Sequence, residues 1–295
     1  MPLPENIQPI GERPHILRPL EEGEVFTSNK ETPLVTIVSP SYNYGNFLED
    51  TILSVARQNF KDFEHLIIDN LSTDNTKEIV DKYPHVTFIS EPDSGVTEGI
   101  NKGIRLAKGK YVMILAVSDG LLDTDWLTNA TSKLESDNEL SLVWGLPRYL
   151  TEEGILGEVA FINSWDQRFA YQSPPNKKDW FQYWLNTGFH FPECNMVVRK
   201  EVYEFCFPKV DNDFNIEPYL EFSYVFNSSG YLSEFINIVA NFGRTHNNQL
   251  GKIFEKKGLH IPQGYDYTNK RSKYLNLINS GYEHKFKDSL NNTIL

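Results

Sequence analysis

Val35-Thr36-Ile37-Val38-Ser39-Pro40-Ser41-Tyr42-Asn43, His65-Leu66-Ile67-Ile68-Asp69-Asn70-Leu71-Ser72-Thr73-Asp74, Glu91-Pro92-Asp93-Ser94-Gly95 and Tyr111-Val112-Met113-Ile114-Leu115-Ala116-Val117-Ser118-Asp119 are segments of one repeating pattern, and that pattern decides the fold. Apolar, β-branched runs read as buried strands at 34–39, 63–69, 86–90 and 111–117, and turn formers and carboxylates gather at their ends. Between the strands, Leu48, Ile52, Val55 and Ala56 recur at helical spacing. Ser72 or Thr73 is expected to cap a second helix, with Asp74 in its first turn. Residues 96–107 read as a third helix, closed by Gly109 in a left-handed conformation. This βαβαβαβ order predicts a mostly parallel sheet with right-handed crossovers, in which ligands sit beyond the carboxyl ends of the strands. Asp69 and Asp119 fall at two such ends.

Outward from this stretch the rhythm changes. Residues 1–33 carry six prolines, among them Pro9, Pro14 and Pro19, and read as an irregular arm laid over the domain. Residues 34–250 read as one α/β domain, with a nucleotide-binding half at 34–120 and a mixed acceptor half at 121–250. In the second half strands are expected at 140–150, 154–162 and 195–199, a helix at 216–227 and a last extended stretch at 231–242. Residues 251–295 form a tail rich in Lys and Tyr.

Composition narrows the partners. A formal net charge of −12 argues against a nucleic-acid polyanion, whose binding relies on Lys and Arg neutralising phosphates. A free nucleotide is still allowed, because helix N-termini can hold one or two phosphates. Two cysteines, Cys194 and Cys206, make neither a disulfide framework nor a metal-ligand spacing and are expected as buried, reduced thiols of a cytoplasmic protein. The N-terminus lacks the basic start and apolar core of a secretion signal. No run approaches the roughly 20 apolar residues that span a bilayer, which leaves only a peripheral contact, by way of the tail, at the inner face of a membrane.

The motifs, taken in order, resemble those of the inverting GT-A glycosyltransferases of family two. Pro40-Ser41-Tyr42-Asn43 is similar to that family's first-strand Pro-Thr-Tyr-Asn, and Asp69-Asn70-Leu71-Ser72-Thr73-Asp74 to its Asp-Asp-Gly-Ser-Thr-Asp. Glu91-Pro92-Asp93-Ser94-Gly95, Asn101-Lys102-Gly103-Ile104 and Ala107-Lys108-Gly109 resemble a series seen in capsule and lipopolysaccharide enzymes. The likeness covers residues 34–250 and implies a GT-A fold, a nucleotide diphosphate sugar donor (a UDP-sugar foremost), and a glycan or lipid-linked glycan acceptor in surface polysaccharide synthesis.

The resemblance also implies roles. Asp69 would accept a hydrogen bond from the base imide beside Asn70, the Pro40, Ser41 and Tyr42 turn would line the base, and Asp93 would sit near base and ribose. A strand-end cap is the alternative reading of Asp69. The family's Asp-x-Asp-Asp is replaced here by Ala116-Val117-Ser118-Asp119, so Asp119 is the surviving carboxylate for Mg²⁺ or Mn²⁺, with Ser118 beside it. Arg244 and His246, in a segment resembling the family's donor-closing Phe-Arg-x-His, are candidates for the diphosphate. The family's general-base Asp has no counterpart in Ile216-Glu217-Pro218-Tyr219-Leu220-Glu221. Glu221 is the favoured base, Glu217 a further candidate, and Glu193 a third carboxylate for the acceptor. Trp144, Trp165, Trp180, Tyr183 and Trp184 are candidates for stacking on acceptor sugars. The competing reading is a catalytically silent domain that binds a nucleotide or glycan or serves as a partner subunit, since the metal and base motifs are both altered.

Overall fold

The computed structural model describes residues 6–21, 24, 31–159, 191–209, 218–247 and 249. The candidates Glu217, Trp165, Trp180, Tyr183 and Trp184, the 154–162 strand beyond Val159, and the 251–295 tail lie outside the described residues.

The elements run β1 (Val35–Ser41), α1 (Gly45–Ala56), β2 (Phe63–Asp69), α2 (Thr76–Val80), β3 (Val86–Ser90), α3 (Val96–Leu106), β4 (Tyr111–Ile114), β5 (Gly120–Leu121), α4 (Trp126–Ser136), β6 (Leu140–Leu150), β7 (Leu156–Val159), β8 (Val197–Arg199), α5 (Lys200–Cys206), α6 (Pro218–Ser228) and β9 (Leu232–Arg244). One nine-stranded sheet has the order β3-β2-β1-β4-β8-β6-β9-β5, with β7 on β6. The first four strands are parallel, with Ser41 opposite Asp69 and Asp69 opposite Ser90 at their ends. Strands β4 and β8 are antiparallel, as are β8 and β6, while β6 and β9 are parallel.

Successive strand residues point to opposite faces, and both faces are buried. Val38, Val112 and Ile114 pack with Ile100, Ile104, Tyr203, Phe222 and Phe226 under α3, α5 and α6. Ile37, Tyr111 and Met113 pack with Val55, Trp126, Leu127 and Leu134 under α1 and α4. A strand buried on both faces reads as a continuous apolar run, which is why β1, β2 and β4 show no polar alternation. Cys194 and Cys206 are free and buried, as expected. Trp144 is 2 % exposed and packs against Phe191 and Phe235, so it belongs to the core and offers no sugar platform.

Three local expectations are corrected. The fourth strand stops at Ile114, although Leu115 N and Val117 N still donate to Val38 and Pro40 carbonyls at 2.9 and 3.4 Å. Gly109 does not take a positive φ; it is needed for closeness, since a Cβ there would sit 2.5 Å from Thr36 N. Neither Ser72 nor Thr73 caps α2. Asp74 precedes the helix and accepts Thr76 N at 3.1 Å and Gly45 N at 2.8 Å, so one carboxylate serves the N-termini of α2 and α1. Those two helix starts touch: a Cβ on Gly45 would lie 2.1 Å from the Asn75 side chain.

The described residues of the arm are tied to the domain. Gly11 N donates to Leu156 O and Leu156 N to Glu12 O at 2.9 and 2.8 Å, which ties the arm to the outer side of β7. Arg57, from the end of α1, donates to the carbonyls of Ile16, Arg18 and Pro19 and pairs with Glu24.

Candidate functional site

Strand order reverses at β1, whose neighbours are β2 on one side and β4 on the other, so the loops after β1, β2, β3 and β4 meet on one rim. Side chains weave the first three together. Asn70 N donates to Ser41 O at 3.0 Å, Asn43 N to Ser72 Oγ at 2.7 Å, Thr73 N to Asn43 Oδ1 at 2.8 Å and Asp93 N to Asn70 Oδ1 at 2.9 Å. The residues expected to line a base are thereby brought together. A Cβ on Gly99 would lie 3.1 Å from Asp93 Oδ2 and 3.9 Å from Pro40 Cβ, which places that carboxylate beside the β1 turn.

Asp69 is 1 % exposed. Its Oδ2 accepts Ser72 N at 2.9 Å and Ser90 Oγ at 2.7 Å, and its Oδ1 accepts Ser72 Oγ at 2.5 Å. The strand-end capping role is therefore present, and three of roughly four carboxylate lone-pair sites are used. Asp93 is half-buried and accepts Gly95 N at 3.0 Å; burial pushes its carboxyl up, opposed by that amide and by Lys102. Tyr42 is 56 % exposed at the same rim.

A second cluster forms after β4. Ser118 takes φ 102°, a left-handed value rare outside glycine, and is held there by α1: Ser118 N donates to Thr51 Oγ1 at 3.3 Å, and Thr51 Oγ1 to Asp119 O at 2.7 Å. Asp119 Oδ1 accepts Arg244 N at 3.0 Å and Ser118 Oγ at 3.3 Å. Burial raises the Asp119 carboxyl; the Cys194 thiol, Arg244 N and Ser118 work against it. Tyr44, whose phenol burial and Asp119 raise, stacks edge-on to His246 at 5.2 Å, and Phe47 lies 4.7 Å from the same ring. Sequence gave no sign of Thr51 or Tyr44, because neither falls in a motif and both act through the packing of α1.

Arg244, the candidate for the diphosphate, is enclosed by the protein's own acceptors. Its guanidinium is 2 % exposed and makes four hydrogen bonds: Nε to Ser118 O, one terminal nitrogen to the Thr151 and Glu152 carbonyls, the other to Asp50 Oδ2 at 2.5 Å. It lies over Phe47, 5.0 Å from the ring centroid. This side chain frames the turn that carries Asp119 rather than presenting a fork to a diphosphate. Burial lowers its pKa, countered by Asp50.

Three carboxylates were candidates for the acceptor side. Glu193 is exposed, and both it and Asp119 act on the Cys194 thiol, which burial pushes well up. Tyr219 of α6 is within the field of Cys194 and Glu193. Glu221, two residues further along α6, is buried. Among the described residues no three His, Cys, Asp or Glu side chains converge to hold a metal ion. Asp119, whose Oδ1 takes an amide and a hydroxyl, is the carboxylate that would hold a Mg²⁺ or Mn²⁺ together with donor phosphates, the way such ions are usually bound. A cleft of about 500 Å³ lies elsewhere, between the arm and Arg57, Lys61, Asp123 and Arg148, and contains none of the site candidates. Among the described residues no helix is long and apolar enough to cross a membrane.

Residues 36–207 match the profile of Glycosyl transferase family 2. TuaG of Bacillus subtilis (strain 168), named for teichuronic acid biosynthesis, is 38% identical over 93 residues, covering 30% of this chain and 36% of TuaG. A chondroitin synthase of Escherichia coli is 32% identical over 147 residues, covering 48% of this chain and 21% of the synthase. The chain thus spans less than half the length of such curated relatives. The crystal structure of S. aureus TarS 1-349 in complex with UDP-GlcNAc has a similar fold, with TM-score 0.53 at 13% identity over 88% of this chain and 79% of that one.

Proposed function

From the premise that this chain belongs to Glycosyl transferase family 2, we propose that it moves a sugar with inversion from a nucleotide diphosphate sugar to a glycan or lipid-linked glycan acceptor in surface polysaccharide synthesis. The observation that carries the reading is the convergence of the four strand-end loops at the reversal of strand order, with Asp69 and Asp93 on one side and Asp119 on the other. The relatives named for polysaccharide synthesis and the UDP-GlcNAc complex of TarS support a UDP-sugar as donor.

In this reading Pro40, Ser41, Tyr42, Asp69, Asn70 and Asp93 hold the nucleoside. The half-buried Asp119, with Ser118, accepts hydrogen bonds at the sugar end, and His246 sits at the same turn. An acceptor hydroxyl attacks the anomeric carbon opposite the diphosphate; its proton passes to Glu193, and the bond to the diphosphate breaks. Glu193 takes this place before Glu221 because it is exposed and shares the Cys194 neighbourhood with Asp119. Work at the membrane face with a lipid-linked acceptor belongs to the same proposal.

Thermal shift with UDP- and GDP-sugars, with and without Mn²⁺, tests the donor, because a ligand stabilises the form it binds. Asp119→Ala should then cut turnover by about 100-fold or more, the effect of losing one preorganised electrostatic group; unchanged turnover removes Asp119 from the reaction. The silent-domain reading is favoured by one observation, the full engagement of Arg244 inside the frame. It predicts nucleotide-sugar stabilisation with no product, and no difference between wild type and Asp119→Ala.

A further inference from the structure

The cleft between the arm and the domain is lined by more cations than carboxylates, in a chain whose formal net charge is −12. Arg18, Arg57, Lys61 and Arg148 stand there against Glu24 and Asp123. Glu24 is fully engaged. Its Oε1 accepts Arg18 Nη2 and Arg57 Nε, and its Oε2 accepts Arg57 Nη2 and Glu21 N. Asp123 accepts Asn6 Nδ2 at 2.8 Å and Asp125 N at 3.0 Å. Lys61 and Arg148 are left without an ion pair among the described residues. Lys61 gives one N–H to Ala56 O at 2.9 Å and keeps two.

Arg148 is the sharper case, because it is only 3 % exposed. Its Nε donates to Gly157 O at 2.7 Å and its Nη1 to Gln8 O at 2.6 Å, while Nη2 has no partner among the described residues and is not sealed from solvent. Burial lowers its pKa, opposed by the charge of Glu158. Other enclosed arginines are compensated: Arg57 by Glu24, Arg244 by Asp50, and Arg199 by lying over the Tyr111 ring. A guanidinium is seldom buried without such a partner.

We propose that this cleft binds a sugar-sized oxyanion, whose phosphate or carboxylate is held by Arg148 and Lys61. Charge-assisted donors of this kind suit either group. Gln8, Thr124 and the remaining lone pairs of Asp123 offer partners to hydroxyls, and Ile16, Leu122 and Val239 supply an apolar floor. At about 500 Å³ the cleft has the size of a small-molecule site and exceeds what a bare phosphate fills. The arm contributes Gln8 and the domain Lys61 and Arg148, so the ligand bridges the two. The inference is independent of the transfer reading, since none of the donor or acceptor candidates lines this cleft.

Calorimetry on the full chain with glucose 6-phosphate, glucuronate, inorganic phosphate and glucose tests it. Glucose 6-phosphate or glucuronate should bind, and whichever binds more tightly names the oxyanion; inorganic phosphate should bind at least 10-fold more weakly, and glucose not measurably, each figure an order of magnitude of about one charged contact. Arg148→Gln and Lys61→Gln should each weaken the sugar oxyanion by about 10-fold or more. Lys61 is exposed, so its variant reads the site even if Arg148→Gln unfolds. The melting temperature of wild type should rise with the bound probe, and Lys61→Gln should leave UDP-sugar affinity unchanged. Binding of neither sugar oxyanion by wild type overturns the site, as does glucose binding equally well or an unaltered affinity in Lys61→Gln. Inorganic phosphate binding as tightly as glucose 6-phosphate overturns the sugar-sized ligand.

Discussion

The two halves of the sheet satisfy their polar backbone in opposite ways. In the parallel half, carboxylates at strand ends accept backbone N–H groups: Asp69 from Ser72, Asp74 from Gly45 and Thr76, Asp93 from Gly95. Across β6, β8 and β9, guanidinium groups donate to backbone carbonyls instead: Arg148 to Gly157 at 2.7 Å, Arg199 to Leu140 at 2.7 Å and Leu134 at 2.8 Å, Arg244 to Ser118, Thr151 and Glu152. The carboxylates stand at a rim, Asp74 exposed and Asp93 half-buried there while Asp69 is enclosed. The guanidiniums are enclosed and largely committed. A basic residue in the second half therefore frames carbonyls of the fold, and an acidic one at a strand end of the first half anchors loop amides.

The sharpest way to break this contrast is Arg244→Ala. Removing one partner of an enclosed ion pair, with Asp50 and three carbonyls left behind, should destabilise by about 3–5 kcal/mol, read as a lower urea midpoint. A change below about 1 kcal/mol, coupled with lost turnover, would restore Arg244 to the diphosphate. Next comes the interior of the parallel half. Burial, with a contribution from His85, holds the His65 imidazole down at about 3, and His65 Nε2 lies 2.9 Å from Ser39 Oγ. The unfolded imidazole titrates near 6.5, so between that value and about 3 the unfolded chain binds more protons. Stability is complete above pH 6.5 and declines as pH falls through this window, by about 2 kcal/mol at pH 5. His65→Gln should flatten the melting temperature between pH 7 and 5; an unaltered slope would assign the decline to other groups. The smallest effect belongs to Arg13, 45% exposed and 2.8 Å from Asp50. Arg13→Gln should cost about 0.2–1 kcal/mol, because exposed pairs are screened. A larger loss would show that Asp50 needs both arginines to keep Arg244 in place.

Much of the parallel half was legible. The bounds of β2 and β3 match the runs 63–69 and 86–90; β2 is buried almost throughout, as an interior strand covered on both faces is, while β3 is an edge strand with none of its residues buried. The four strand-end motifs lead to the rim for the same reason: topology alone puts consecutive carboxyl ends together. What could not be read is where a polar group finds its partner. Asp74 reaches back to α1 across 29 residues, and Arg244 reaches Asp50 across 194. Such distances in sequence leave no local pattern. Gly109 misled because a glycine after a helix has two uses, and only the nearness of Thr36 shows which applies.

The docking of the arm on β7 has an effect on the surroundings of the molecule. Leu156 gives its N–H to Glu12 and receives that of Gly11, so both of its outward backbone groups are taken within the same chain. A bare strand margin invites ladder formation with a neighbouring copy. Here the proline-bearing arm occupies the margin of β7 at Leu156, and its Pro9 and Pro14 have no N–H to offer a further strand, so the segment works as a selvedge on that strand.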